Sequence, residues 1–208
     1  MCDSCVYVKS DTKSTTILAL YTIIMTRFAM QDLGDVSLIL GMQVSLDHVT
    51  GTLEISRAHY AAAILQRFGF HECRSVSTPG GGKPSDLIIS DLLDDNGKQL
   101  CEEMVGRLIY LSICTRWDTA YAVMQLTRAM SAPRYDHLVA AKRILLYLNG
   151  KPNLCVRYYS QEFTPHGYSD ASYSDDPNTS RSVSDFLSLL CGGPVTLSSE
   201  KQPEVALS

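Results

Sequence analysis

The sequence predicts an α+β fold, and three observations carry that expectation. Residues 15–56 and the last 43 hold short apolar runs punctuated by turn formers, as strands do. Residues 101–150 repeat their apolar side chains on a period near 3.6, as helices do. The last runs follow one another so closely that only tight turns can join them, which makes them an antiparallel meander. With 208 residues and 45% apolar content the chain can bury a core, and its length suits one large or two small domains.

In chain order, Thr15 to Met25 (TTILALYTIIM) is rich in β-branched and large apolar residues and reads as a buried strand, although a short helix fits its length as well. Gln31 to Asp35 is a polar turn region. From Val36 to Ser56 two apolar runs flank DHVTG, where Gly51 is available for a positive φ, so a β-hairpin is expected. Arg57 to Phe70 places Tyr60, Ile64, Leu65 and Phe68 at helical spacing with Gly69 near the end. Ser75 to Asp95, with VSTPGGGKPSD and an acidic tail, reads as an exposed connector. Its GGGK is no phosphate loop, because Pro84 follows Lys83 where such a loop needs Ser or Thr.

The helical stretch has Met104, Leu108 and Leu111, then Ala122, Leu126, Ala129 and Met130, on one period. Pro133 separates it from Tyr135 to Leu148, where Leu138, Ala141, Ile144, Leu145 and Leu148 share a face and Asn149-Gly150 closes the helix. His137 has no carboxylate or cysteine partner at a motif spacing and reads as a surface or capping residue. A strand then carries Asp170 ahead of the turn formers SDDPN, and the runs Val183 to Cys191 and Pro194 to Ser199 are separated by Gly192 and Gly193. One carboxylate can touch a Mg²⁺ ion, but phosphodiester cleavage with two metals needs several carboxylates converging on one point.

Charge is uneven. Residues 1–100 hold 8 basic and 11 acidic side chains, 101–160 hold 8 and 4, and 161–208 hold 2 and 7, for a net charge of −4. The total argues against tight electrostatic binding of nucleic acid by the whole chain, while the basic middle can meet phosphates locally. The seven cysteines, at 2, 5, 73, 101, 114, 155 and 191, lack the spacing of a disulfide framework and point to a reducing compartment. Cys2 and Cys5 form one CxxC without the second pair a zinc site needs. The polar start and the short run Ile17 to Met25 predict neither secretion nor membrane insertion, hence an intracellular protein in cytoplasm or nucleus.

Six landmarks follow one another: FAMQDLG (Phe28 to Gly34), LGMQVS (Leu40 to Ser45), STP (Ser77 to Pro79), VGRLIYLSICTRWD (Val105 to Asp118), AAKRILLYLNG (Ala140 to Gly150) and GYSDASY (Gly167 to Tyr173). In this order the chain resembles the C-terminal part of a copia-type retrotransposon Pol polyprotein. The likeness runs from the end of the reverse-transcriptase palm, through thumb and connection, into ribonuclease H.

The resemblance implies a remnant of the palm with hairpin, thumb helix and linker over 1–100, a helical thumb/connection region over 101–160, and an incomplete ribonuclease H-like three-stranded sheet over 161–208. It implies Mg²⁺ as the cofactor and an RNA–DNA hybrid or primer–template duplex as partner. It also makes Asp170 the first metal-binding, catalytic aspartate of the nuclease, and Arg57, Lys142 and Arg143 candidate phosphate contacts.

Several residues depart from the family's pattern. After ILALY come Thr22 and Ile23 and almost at once RFAMQDLG, so the paired palm aspartates and the helix that follows them in the family are deleted; the second aspartate of Asp-Ala-Asp is Ser172, the proline of Thr-Arg-Pro-Asp is Trp117, and a third-strand tryptophan is Leu197. In the family the helix carrying the second nuclease carboxylate follows the position of Ser208. The expectation is therefore an RNA-directed DNA polymerase/ribonuclease H relative without its own catalysis and without productive Mg²⁺ binding. The alternatives are a non-catalytic module that binds nucleic acid or protein, including an intact element's enzyme, and a non-functional gene remnant.

Overall fold

The computed structural model describes residues 27–28, 35–81, 90–160, 163–172 and 181–203. The chain divides into two compact units between Val36 and Ser37, and every element named here lies in the second. The strand expected over Thr15 to Met25, the Cys2/Cys5 pair, Thr22 and Ile23, most of FAMQDLG, the GGGK lysine and the SDDPN turn lie outside the described residues.

The architecture is α+β, as expected. Strands β1 (Leu38–Ile39), β2 (Met42–Asp47), β3 (Thr52–Ser56) and β4 (Val156–Tyr159) form an antiparallel sheet in that order. Between β3 and β4 run helices α1 (Ala58–Phe68), α2 (Asp95–Cys114), α3 (Ala120–Thr127) and α4 (Tyr135–Gly150), with a 3₁₀ turn at Trp117–Thr119. Strands β5 (His166–Ser172), β6 (Val183–Leu190) and β7 (Gly193–Lys201) form a second sheet, also antiparallel and in chain order.

The expected hairpin forms around DHVTG because two local devices agree. Asp47 accepts the Val49 backbone N–H at 2.8 Å and the Thr50 hydroxyl at 2.7 Å, and Gly51 sits at φ 64°, where a side chain is strained. Helix α1 ends at Gly69 as its sequence indicates. Helix α2 begins at Asp95, earlier than the periodic residues suggest, because Asp94 caps it by accepting the Gly97 N–H at 2.8 Å.

The end of the connector is not simply exposed. Leu92 bridges to Arg134, and the Ser90 and Asp136 backbone N–H groups bond each other's side chains, at 3.1 and 2.9 Å. His137 is a capping residue but not a surface one: it is 5% exposed, and its Nδ1 accepts the Arg134 N–H at 2.9 Å. Burial, the larger effect, holds its imidazole below the ordinary histidine range, against the pull of Asp136.

The four helices share one core. Ala61, Ile64 and Leu65 of α1 meet Met104, Val105, Leu108 and Leu111 of α2, Val123 and Leu126 of α3, and Ala141, Ile144, Leu145 and Leu148 of α4. Strand β4, which has no strong signal in the sequence, ties the two sheets. It completes the first sheet beside β3, while Tyr159 N–H bonds the Cys191 carbonyl at 2.7 Å and Tyr158 Oη donates to the Pro194 carbonyl at 2.7 Å. The β6–β7 turn is Cys191-Gly192 rather than the two glycines, both at positive φ (54° and 73°). Gly193 is instead the first residue of β7, pressed against Tyr158.

Candidate functional site

Asp170 lies near the end of β5, an edge strand whose residues are all exposed. Its Oδ1 accepts the N–H of Ala171 at 2.8 Å. The register places Asp185 of β6 directly opposite, so the two carboxylates share one face of the sheet. Asp185 was not anticipated from the sequence, because the β5–β6 register that places it opposite Asp170 is set by tertiary pairing and not by a short turn. Its Oδ1 is buried and has no hydrogen-bond donor among the described residues. Two like charges facing each other destabilise a strand pair unless something offsets them. They do not amount to the converging set that two Mg²⁺ ions need. Among the described residues no three or more His, Cys, Asp or Glu side chains are grouped to hold a metal.

The three basic residues proposed to meet phosphates occupy different settings. Arg57 is 6% exposed. Its guanidinium donates to the Leu40 carbonyl and stacks 4.2 Å from the centre of the Tyr110 ring. Leu40 stands at φ 49° in the β1–β2 turn, a conformation costly to a branched side chain, and Arg57 holds that turn in place. Arg143 reaches from α4 to the Ser77–Gly81 segment, donating to the Gly80 carbonyl and the Thr78 hydroxyl at 3.0 Å each. Lys142, beside it and half-buried, has no hydrogen bond or ion pair among the described residues. Lys142 and Arg143 are sequence neighbours on α4 and do not face each other, while Arg57 and Asp170 stand on other elements.

Much of the basic middle region is internally engaged. Arg107 pairs with Glu103, Arg157 with Glu54, and Arg128 with Gln125. The most committed is Arg116 of the TRWD motif, 2% exposed. It forks onto Asp118, Nε–Oδ1 at 3.0 Å and Nη2–Oδ2 at 2.8 Å, and donates to the Lys151 carbonyl at 3.0 Å. Tyr147 of α4 donates to Asp118 Oδ2 at 2.7 Å. Burial pulls the Asp118 carboxyl upward, but the hydrogen bonds from Arg116 and Tyr147 and the guanidinium charge outweigh it and hold the carboxyl below the usual range. The Tyr147 phenol is pushed up, first by burial and then by Asp118. Asp118 lies inside the 3₁₀ turn and its side chain turns back to Arg116, while α3 has no side-chain cap.

These features define a mixed α+β protein with a helical core, a hairpin sheet and an aspartate-bearing meander. Its sequence is 33% identical over 186 residues to a retrovirus-related Pol polyprotein from a transposon of Nicotiana tabacum, a match covering 87% of this chain and 14% of that one. It is 30% identical over 176 residues to a transposon Ty5-1 protein of Saccharomyces cerevisiae, covering 84% of this chain and 56% of the other. It is also 30% identical to an uncharacterized mitochondrial protein of Arabidopsis thaliana, covering 87% and 74% respectively. The chain belongs to the family of retrovirus-related Pol polyproteins of copia-type transposons. It spans about one seventh of the tobacco polyprotein's length (14%). No family model matches the chain, and no solved structure matches it. Among the described residues no helix is long and apolar enough to cross a membrane.

Proposed function

We propose that this chain is the part of a copia-type Pol polyprotein that runs from the end of the reverse-transcriptase palm, through thumb and connection, into the opening of ribonuclease H, and that it catalyses neither DNA synthesis nor RNA cleavage. The domain reading is a palm remnant, hairpin, thumb helix and linker over 1–100, a helical region over 101–160 and a nuclease-like sheet from 161. The observation that carries the loss of catalysis is the setting of Asp170, which faces Asp185 across one strand pair. Phosphodiester cleavage with two metals needs ligands from several directions, and polymerisation needs the paired carboxylates that are missing here after Tyr21. Mg²⁺ then finds at most a weak hold at Asp170. The free thiols of Cys73, Cys101, Cys114, Cys155 and Cys191 suit an intracellular setting.

The test uses purified protein with Mg²⁺, a primed RNA template and an RNA–DNA hybrid. Neither extension nor cleavage is expected, and turnover in either reaction overturns the reading.

A second reading has one observation in its favour, the unpaired Lys142 beside Arg143 on α4. Here the chain is a duplex-binding module that contacts the phosphates of a primer–template or hybrid, or that assembles with an intact element's enzyme, without chemistry. Such binding weakens with salt, by about one counterion per phosphate contact. The double change Lys142→Ala with Arg143→Ala reduces it, and no binding at low salt rules it out.

A further inference from the structure

Strand β5 is an open edge. Among the described residues it pairs with β6 alone, and every residue from His166 to Ser172 is exposed, Tyr168 by 60%. The residues of this sheet that face α2 and α3 belong to β7, two strands away.

Backbone direction decides which groups that edge offers. The Ala171 N–H bonds Oδ1 of its own neighbour, Asp170, instead of β6. It therefore points away from the sheet, and by the alternation of an antiparallel ladder so do the N–H and C=O of Gly167 and Ser169. Neither residue has a backbone partner on that side among the described residues. The opening is bounded at both ends, because Pro165 has no N–H to donate and Asp170 already holds that of Ala171. What stays open suits one short strand running the opposite way.

The sequence of β5 is complementary to itself. His166, Tyr168 and Asp170 alternate with the outward-bonding residues and share one face of the sheet. In an antiparallel pair of copies with Tyr168 on the two-fold axis, Gly167 of each strand exchanges hydrogen bonds with Ser169 of the other. Tyr168 then packs on Tyr168, and His166 stands opposite Asp170 at two symmetric positions. An imidazole can donate to a carboxylate in either protonation state. The same register offsets a cost inside each copy: Asp170 faces Asp185 across β5 and β6, and the second copy's His166 brings a donor to that pair. An axis at Ser169 would set Tyr168 against Asp170, and an axis at Asp170 would set that carboxylate against itself, which is repulsive.

We propose that two copies of this chain associate through β5 in the register centred on Tyr168, forming one antiparallel sheet continuous across a two-fold axis. The contact is small, so the dimer is weak, with a Kd on the order of 100 µM.

Sedimentation velocity of the full chain, from well below to well above that Kd, is expected to show a monomer–dimer equilibrium and nothing larger. Ser169→Pro removes an N–H that points out of the sheet, a change an edge strand tolerates. Near-ultraviolet circular dichroism should stay native while the dimer is lost. His166→Asp sets like charges opposite each other at both symmetric positions and should weaken association about tenfold or more. Adding Asp170→His exchanges the two partners and should restore it. If Ser169→Pro does not fold, the exchange of His166 and Asp170 decides. A chain that stays monomeric throughout, open-ended assembly, a dimer that folded Ser169→Pro or His166→Asp leaves intact, or an exchange that restores nothing overturns the proposal.

Discussion

At the scale of single residues, Arg116 is the side chain on which most depends. A guanidinium 2% exposed survives burial only because its donors are paired in a fixed fork, onto Asp118 and the Lys151 carbonyl. Lysine cannot reproduce that fork. Arg116→Lys and Arg116→Ala are both expected to destabilise the fold, the alanine by about 3–5 kcal/mol, measured by urea unfolding. Tyr147→Phe should cost less, about 1 kcal/mol for one hydrogen bond. Little of this was legible beforehand. TRWD shows Arg and Asp two residues apart, but only the packing of α4 brings Tyr147 to the same carboxylate, from 29 positions away. Arg57 teaches the same point. The sequence made it a candidate phosphate contact, yet the strained turn at Leu40 and the Tyr110 ring draw it inside.

At the scale of elements, local signals were faithful wherever local chemistry decides. DHVTG, Gly69 and the periodic faces of α1 and α4 all form what their residues indicate. Strand β4 was not visible, because its four residues, VRYY, are stabilised by pairing with β3 from about a hundred positions away. The same strand sets the joint between the sheets. A Cβ on Gly193 would fall 2.5 Å from the Tyr158 ring and 2.6 Å from the Arg157 carbonyl. Gly193→Ala is therefore expected to cost about 1–3 kcal/mol and to loosen the meander first. Hydrogen exchange should show it, with β6 and β7 amides losing protection before those of the helical core.

At the scale of the whole molecule, stability should fall on acidification in two stages. The folded-state pKa of His137 lies below its ordinary value near 6.5, so the unfolded chain takes up that proton first. This contribution is intact above pH ~6.5 and is lost as pH falls below it. Asp118 is held below the ordinary carboxylate range, so its contribution is intact above pH ~4 and is lost at lower pH. Thermal unfolding from pH 7.5 to 3.5 checks the sign at both steps, and removal of the imidazole by His137→Gln should flatten the first. The family could be read from six ordered landmarks because each keeps a recognisable run of residues at its place in the chain. The central claim is that Asp170 keeps its ancestral place without a working metal centre. Its most direct measurement is a Mn²⁺ titration followed by water proton relaxation, on the native chain and on Asp170→Asn. The account predicts no saturable site tighter than about 1 mM and the same curve for both proteins; a saturable site that Asp170→Asn removes would contradict it.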